Sequence, residues 1–340
     1  MQPTQHPASE SPTVLHGPLD APRDLGDINS ELQAAARGLF FTQLSQFALL
    51  EFSGDDAAAF LQGQLSCDVD ALRHSDRSSL GAYCTAKGRI LATFVLWEQS
   101  GVWRMMLSRS QAPAIQKRLG MFVMRAKVHI RLAEDWVLIG IAGSLPASLT
   151  HLASHDPWRQ RSDDDVTVVS LPGKRSLICV PRTAADDIQI SLNKTMPKTG
   201  TAAWEWTEIR NGIPWITAAT QDQFVPQMVN LELIGGVNFK KGCYPGQEIV
   251  ARTQYLGKVK RRMYLAHVPS SFPAVAGQVV HSDNVGGQVN GMVVNAESSP
   301  SGGVDLLVSV QSESVSTSRV HLESAEGPAL EFMALPYSLS

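Results

Sequence analysis

The sequence predicts an α+β fold in which two or three domains share one chain. Its 340 residues exceed the length of a typical single domain, and 44% of them are apolar, enough to form a sizeable core. Strand-like and helix-like patterns mix with hairpin turns between residues 39 and 141, which is typical of α+β layers rather than of a doubly wound parallel sheet. After Arg262, short strand-like runs separated by Gly, Ser, Asn and Asp clusters predict a small β-barrel.

The N-terminal residues 1–35 hold five prolines and little apolar periodicity, so we expect a disordered tail. Order is predicted to begin near Leu39, with a first strand region that runs to Leu50. A helix is then predicted to start at residues 53–56, because Ser53 can cap it and two aspartates lie in its first turn.

The middle and C-terminal elements follow from turn residues and apolar spacing. Ser110 and Pro113 predict the start of a helix with Ile115, Leu119 and Phe122 on its buried face. The predicted strands, which include an antiparallel meander and the runs of the barrel, cover residues 82–85, 90–97, 103–107, 128–132, 136–141, 263–268, 278–281, 291–295 and 304–310.

Several function classes are disfavoured by composition and by missing motifs. No stretch approaches about 18 uncharged apolar residues, which argues against an integral membrane protein. The four cysteines form no C-x-x-C pair and the N-terminus has no secretory pattern, so we expect a cytoplasmic protein. His151 and His155 lack the glutamate of a metalloprotease helix, and we expect no tightly bound metal.

The segment from Phe239 to Arg252 is the strongest candidate for chemistry. Gly242, Pro245 and Gly246 predict a tight turn that leads into a helix, and Cys243 precedes the N-terminus of that helix. A helix N-terminus and neighbouring lysines both stabilise a thiolate. The alternative is that Cys243 is a small buried residue in a turn, as most unpaired cysteines are.

The same region is basic. Residues 240–262 contain seven Lys or Arg side chains and one Glu, a net charge of +6 in a chain whose formal net charge is −3. Such a run is either a solvated surface or a binding site for an anionic partner, RNA phosphates or a ligand with carboxylates. With only three tyrosines near it, we favour the small anionic ligand or the solvated surface over nucleic acid.

Trp204 and Trp206 occupy alternate positions just before Glu208. On a strand-like segment their rings would point to the same face. Two interpretations stay open, which are packing in the core and an aromatic wall for a flat heterocycle.

The basic cysteine segment resembles the signature K-G-C-[aromatic]-x-G-Q-E-x-x-x-R of the YgfZ family, folate-binding proteins of the glycine-cleavage T-protein superfamily that are also described as tRNA-modifying. Further similarity lies in residues 61–69, 86–88, 223–231 and 335–339. The resemblance implies that Cys243 is the functional thiol. The motif residues around it are Lys240, Lys241, Gly242, Tyr244, Gly246, Gln247, Glu248 and Arg252.

The resemblance also implies a three-domain T-protein-like architecture, with two ferredoxin-like or α+β domains and a small C-terminal β-barrel around a central opening. The implied parts are a folate-binding domain of residues 36–78 and 136–250, an inserted domain of 79–135 and a barrel of 251–340. Tetrahydrofolate or a derivative, with or without a polyglutamate tail, would bind in the central cavity. The family's folate-binding aromatic pair falls on Phe47, a tryptophan in the best-known relative, and on Trp204.

By resemblance, the chain would be a folate-binding accessory factor for the assembly, maintenance or repair of iron–sulfur enzymes, with a tRNA methylthiotransferase as one partner. The alternatives are a folate-dependent one-carbon transferase and a factor that binds tRNA directly. The aminomethyl reaction is disfavoured, because Ala92 and Thr93 replace the acidic pair of the T-proteins. Arg210 likewise replaces their pterin-binding glutamate.

Overall fold

The computed structural model describes residues 21–255, 259–269, 272–283 and 289–339. Its α-helices are α1 (Ile28–Ala36), α2 (Ala57–Gln62), α3 (Val69–Leu72), α4 (Ala112–Val123), α5 (Arg182–Asn193), α6 (Thr201–Arg210), α7 (Gln247–Tyr255) and α8 (Ser312–Thr317). Its strands are β1 (Phe40–Gln43), β2 (Phe47–Ser53), β3 (Ser79–Cys84), β4 (Ile90–Gln99), β5 (Val102–Ser108), β6 (His129–Leu132), β7 (Trp136–Ala142), β8 (Gln160–Asp163), β9 (Val166–Leu171), β10 (Arg175–Pro181), β11 (Arg261–Val268), β12 (Val279–Ser282), β13 (Val289–Ser298), β14 (Val304–Gln311), β15 (Val320–Leu322) and β16 (Glu331–Met333). Two 3-10 helices cover Ala147–Leu152 and Pro226–Val229.

The first sheet is antiparallel and has the strand order β3-β4-β5-β2-β6. The predicted meander and the helix that follows Ser110 and Pro113 are therefore confirmed. Phe122, which was expected on the buried face of that helix, is 45% exposed. Ile115 and Leu119 of α4 pack with Leu61 of α2 into one apolar cluster beneath the sheet. The predicted helix after Ser53 is also present, but its N-cap residue is Asp56, whose carboxylate accepts a hydrogen bond from the Lys127 N–H instead of capping α2.

The second sheet is antiparallel with the order β1-β7-β10-β9-β8, and each of its faces is covered by a helix. Side chains alternate between the two faces of a strand. Ile139 of β7 and Ile178 of β10 pack with Leu192 of α5. Leu177 and Cys179 of β10 pack on the opposite side with Trp204 of α6. This sheet thus forms the floor on which α6 lies.

The structure divides one predicted strand region between two sheets. Residues 39–50 were expected to form a single strand region, but they form β1 and most of β2, which lie in different sheets. A turn in which the Phe47 N–H donates to the Leu44 carbonyl separates them. The break between the strands could not be predicted from apolar spacing, because both strands are almost fully buried. The division into a domain of residues 36–78 and 136–250 and an inserted domain of 79–135 stays a prediction.

The C-terminal strands form one curled antiparallel sheet with the order β15-β12-β13-β14-β11-β16. This arrangement confirms the prediction of a small barrel-like domain. Its interior is apolar, with Val280, Val293, Leu306 and Val308 in one cluster. A β-bulge between Val293 and Asn295 interrupts the pairing of β13 with β14.

The prediction that residues 1–35 are disordered is wrong for the part that the structure describes, residues 21–35; residues 1–20 lie outside it. Helix α1 begins after Asp27, whose carboxylate accepts a hydrogen bond from the Ser30 N–H at 3.0 Å. Leu32 on its inner face is 1% exposed and belongs to the main core cluster. The composition of residues 1–35 does not predict this helix, because the helix is short and buries only four residues.

The segment before α1 caps helix α6. The Thr201 N–H donates to the Pro22 carbonyl at 3.1 Å and the Ala202 N–H to the Arg23 carbonyl at 3.0 Å. The first N–H groups of a helix have no partner inside that helix. This segment therefore supplies the acceptors that α6 needs.

Among the helices of the described ranges, none is long and apolar enough to cross a membrane.

We expect Leu32→Ala to lower the free energy of unfolding by about 2–5 kcal/mol, because it empties a fully buried site. Asn29→Ala, on the exposed face of the same helix, is the matched control and should change it by less than about 0.5 kcal/mol. Chemical denaturation measures both. Equal stability of Leu32→Ala and the parent chain would contradict the docking of α1.

Candidate functional site

Cys243 lies in an exposed loop directly before α7, as the sequence predicts. All four cysteines fall within the described residues, and the other three are buried. Burial raises the pKa of the Cys67, Cys84 and Cys179 thiols to about 12 in each case. These three thiols are therefore protonated at neutral pH. Cys243 is the thiol that a partner or reagent can reach.

The loop of Cys243 is docked on the hairpin turn between β3 and β4. Gly246 has a φ of +83°, and a Cβ atom at this position would lie 2.4 Å from the Thr85 carbonyl oxygen and 2.6 Å from Gly88. Gly88, with a φ of +71°, faces Gly246 and Val250 in return. Two glycines thus allow backbone to approach backbone. Gly242 differs, because a Cβ atom there meets nothing within 4 Å.

The start of the loop is held by Asn238. Its side-chain oxygen accepts hydrogen bonds from the N–H groups of Lys240 at 2.7 Å and Lys241 at 3.1 Å. Its amide nitrogen donates to the Asp68 carboxylate at 3.1 Å. At the other end, the side chain of Gln247 donates to the Lys241 carbonyl at 3.4 Å. The loop therefore presents Cys243 from a fixed backbone.

Most of the positive charge expected around the thiol is used elsewhere. The Lys241 ammonium is buried and donates to the carbonyls of Gln62 at 2.5 Å and Leu65 at 2.6 Å, and this burial lowers its pKa. Arg252 forms an exposed ion pair with Glu248 at 2.8 Å. Lys240 is exposed and has no ion pair in the part of the chain that the structure describes. Within the described ranges, Lys240 is therefore the one of these three side chains that is exposed without an ion pair.

Tyr244 has a packing role in the loop. Its ring lies 5.2 Å below the Lys241 ammonium, which favours a cation–π contact. Its hydroxyl is buried without a hydrogen-bond partner among the described residues, and burial raises its pKa.

A second candidate site is a cavity of about 160 Å³ that is lined by residues of β2, α6, β13 and the segment after α6. Phe47 and Trp215 form its aromatic wall, with ring centroids 4.3 Å apart and planes tilted by 52°. The side chain of Asn295 holds the backbone of Trp215. It donates to the Trp215 carbonyl and accepts from the backbone N–H of Trp215, both at 2.9 Å. The bulge in β13 at Asn295 re-aims this side chain toward the cavity.

The cavity contains an amide group with unmet hydrogen bonds. Gln46 lines it, and neither the nitrogen nor the oxygen of its side chain has a partner among the described residues although both are shielded from solvent. The indole nitrogen of Trp215 is in the same state. Buried polar groups are normally hydrogen-bonded, so these atoms beside the cavity have unused hydrogen-bonding capacity.

Two glutamates of α6 give the cavity its acidic side. Glu208 forms a buried ion pair with Arg175 at 2.8 Å. Glu205 is half-buried, and desolvation together with the nearby charge of Glu297 raises the pKa of its carboxyl to about 7. The carboxyl of Glu205 is therefore divided between its neutral and its charged form at neutral pH.

The prediction that Trp204 and Trp206 lie on a strand-like segment is wrong, because both belong to α6. Successive helix positions are about 100° apart, so the two rings face different partners. Trp204 is fully buried over Gly140, where a Cβ atom would lie 2.4 Å from its ring. Trp206 donates from its indole nitrogen to Asp305 at 2.8 Å. Neither ring lines the cavity.

The aromatic residue that sequence reasoning missed is Trp215. Its signal is weak, a third tryptophan shortly after the glycine that ends α6, and only the tertiary structure brings it to Phe47. Glu205 was missed for a related reason. Once residues 201–210 are known to be helical, Glu205 and Glu208 are three positions apart and share a face.

The positions that depart from the T-protein pattern have structural roles. Ala92 and Thr93 are fully buried. The Thr93 hydroxyl donates to the Pro214 carbonyl at 3.0 Å and accepts from the Ile216 N–H at 2.9 Å, which holds the segment that carries Trp215. Arg210 is not among the cavity residues, and its guanidinium lies 5.9 Å from the Trp206 ring.

Within the described ranges there is no group of three or more His, Cys, Asp or Glu side chains that could hold a metal ion.

The chain is similar to known proteins over most of its length. It is 31% identical to "tRNA-modifying protein YgfZ" of Sodalis glossinidius (strain morsitans) over 311 residues, which cover 88% of this chain and 94% of the relative. The chain belongs to the YgfZ family. A second member, from Vibrio atlanticus (strain LGP32), is 34% identical over 233 residues, 68% of this chain and 71% of the relative. No family model matches the chain.

This YgfZ-family chain has the T-protein fold. It superimposes on the crystal structure of glycine cleavage system aminomethyltransferase T from Bartonella henselae with a TM-score of 0.71. The match covers 91% of this chain and 89% of that chain at 16% sequence identity.

We expect Gly246→Ala to destabilise the protein by more than about 2 kcal/mol, since it combines a disfavoured φ with a backbone clash. Gly242→Ala, in the same loop, meets open space and should change stability by less than about 0.5 kcal/mol. Thermal denaturation compares the two variants. Equal melting temperatures would show that the loop is not docked on the hairpin turn.

Proposed function

We propose that this chain is a folate-binding accessory factor that supports the assembly, maintenance or repair of iron–sulfur enzymes, including those that methylthiolate tRNA. Cys243 is its functional thiol. The observation that carries the folate part is the unmet amide of Gln46 beside the aromatic wall of Phe47 and Trp215. The names of the relatives support a role in tRNA modification, and the T-protein-like fold supports a folate ligand.

The cavity residues fit the pterin part of a folate. A pterin is flat, so its face suits an aromatic wall, and its edge carries both donors and acceptors that match an amide. A cavity of about 150 Å³ in another protein holds one benzene ring. A cavity of about 160 Å³ therefore suits one of the two fused rings of a pterin, and the rest of the ligand extends outside it. When bound, a folate would supply one-carbon chemistry.

Phe47 and Trp215 are the stacking residues in this proposal. Trp204, which the family resemblance assigns to folate binding, packs α6 against the second sheet instead. A direct contact between Trp204 and a ligand would require its ring to leave a fully buried position. Its substitution would weaken binding by displacing α6, the helix that carries Glu205.

Cys243 acts outside the cavity lining. One thiol cannot hold an iron–sulfur cluster alone, so its chemistry is thiol exchange with a partner or ligation shared with a partner. Lys240, three residues before it in the chain, is exposed and has no ion pair among the described residues. The fixed backbone of the loop holds the sulfur at the surface for such a partner.

Two alternative functions are a one-carbon transferase and direct tRNA binding. A one-carbon transferase is favoured by Glu205, whose pKa of about 7 suits proton transfer, and it would be recognised by turnover of a one-carbon folate. Direct tRNA binding has weaker support from the basic segment, because Lys241 is buried while Arg252 and Arg262 are paired with glutamates. Retention of tRNA that falls steeply with salt would support it.

We expect Gln46→Leu to weaken tetrahydrofolate binding about tenfold, the worth of one or two hydrogen bonds. It should leave stability unchanged or raise it, because the amide has no partner among the described residues. Calorimetric titration under anaerobic conditions measures the affinity. Gln116→Leu on α4, outside the cavity lining, is the matched control and should bind like the parent chain. An unchanged affinity of Gln46→Leu would contradict the assignment of the cavity.

We expect Cys243→Ser to bind tetrahydrofolate like the parent chain but to fail in cells. In a strain that lacks its own YgfZ, the variant should leave methylthiolated tRNA nucleosides at the level of an empty vector, as measured by mass spectrometry. Cys67→Ala, which removes a buried thiol, is the control and should restore them. Restoration by Cys243→Ser would rule out the thiol as the functional group.

A further inference from the structure

Glu205 is a cavity carboxylate that the protein itself does not satisfy. It lies on the same face of α6 as Glu208, and both line the cavity. Glu208 is held by Arg175 at 2.8 Å, whereas Glu205 has no hydrogen bond or ion pair with any residue that the structure describes. An ionised carboxylate is an acceptor that needs hydrogen-bond donors, and no described residue supplies one to Glu205. A bound ligand with N–H groups would supply the missing donors.

The charged groups that face Glu205 are already engaged with one another. Arg23, from the segment before α1, forms an ion pair with Glu297 of β13. Arg175 of β10 is engaged with Glu208 of α6. Burial and the charge of Glu297 disfavour the ionised form of Glu205, and Arg23 favours it. No cation among the described residues forms an ion pair with Glu205.

We infer that Glu205 selects ligands whose edge carries two adjacent N–H donors, and that it accepts both hydrogen bonds with its two carboxylate oxygens. This inference rests on the proposed function and names the pterin edge as the part of the folate that is recognised. The amino group and the neighbouring ring N–H of a pterin form a fork like that of a guanidinium, which binds carboxylates in this bidentate way. Gln46 adds one donor and one acceptor to the same cavity.

Bidentate acceptance makes binding depend on pH. Only the ionised carboxylate accepts both hydrogen bonds, and the pKa of about 7 means that ionisation is nearly complete only at pH 8. The ionised fraction rises from about 10% at pH 6 to about 90% at pH 8, so the affinity for a pterin should rise about tenfold over this range. In the absence of ligand, the stability of the folded state changes with pH in the opposite direction. The folded state binds the extra proton more tightly than the unfolded state, and stability falls as the pH rises from 4.5 toward 7.

The test is calorimetric titration of the full chain with tetrahydrofolate at pH 6, 7 and 8, using the parent chain, Glu205→Gln and Glu297→Gln. The parent chain should bind about tenfold more tightly at pH 8 than at pH 6. Glu205→Gln should bind about tenfold more weakly than the parent chain at pH 8 and show no change with pH. Glu297→Gln removes a neighbouring negative charge and should shift the midpoint to lower pH.

Thermal unfolding at pH 8 serves as the folding control. Glu205→Gln should unfold at the same or a higher temperature than the parent chain, because it removes a carboxyl whose charged form is disfavoured by desolvation and by Glu297. The ligand fragment p-aminobenzoylglutamate, which lacks the pterin edge, should bind both chains equally.

The outcomes separate this inference from the proposed function. If the parent chain binds tetrahydrofolate equally at pH 6 and pH 8, or if Glu205→Gln binds like the parent chain at pH 8, the role of Glu205 is overturned and folate binding stands. If the parent chain does not bind at any pH, both are overturned. Should Glu205→Gln fail to fold, an unshifted midpoint in Glu297→Gln overturns the role of Glu205 by itself.

Discussion

The buried ion pair between Arg175 and Glu208 fixes the helix on which the rest of the structure depends. The guanidinium donates to Glu208 at 2.8 Å, to the Thr207 hydroxyl at 3.0 Å and to the Pro172 carbonyl at 3.1 Å, and it lies 4.8 Å from the centroid of the Trp204 ring. Removal of one partner from such a pair leaves an uncompensated buried charge and typically costs about 3–5 kcal/mol. The pair therefore sets both the position of α6 and its rotation about its own axis. That rotation turns Glu205 toward the cavity.

Helix α6 and the segment after it join all three sheets. Trp204 lies against the second sheet at Gly140, and Trp206 reaches the barrel through Asp305. The segment of residues 214–216 is then held by Thr93 of the first sheet and by Asn295 of the barrel. Trp215 thus owes its place in the cavity to two different sheets. The loop of Cys243 packs elsewhere on the first sheet, at the hairpin turn between β3 and β4, and Cys243 is not among the residues that line the cavity.

The parts of this structure that could be predicted from sequence are those decided by local chemistry. Turn residues place the meander and the barrel strands, and the glycine turn before Gln247 places Cys243 at the start of α7. Helix α6 could not be predicted this way, because eight of its ten residues are buried and it shows no polar face. The charge of Lys241 could not be placed either, since only the tertiary structure brings the Gln62 and Leu65 carbonyls to its ammonium. Trp215 and Glu205 could not be assigned to the cavity from sequence either, because only the tertiary structure brings them to it.

A crystal structure of the protein with tetrahydrofolate would test most directly whether the cavity beside α6 binds the pterin of a folate. We expect a pterin ring against Trp215, with the Gln46 amide and the Glu205 carboxylate within hydrogen-bond distance of its edge. Trp204 should stay buried in that complex. A ligand bound at the loop of Cys243, or a ring stacked on a displaced Trp204, would contradict this expectation.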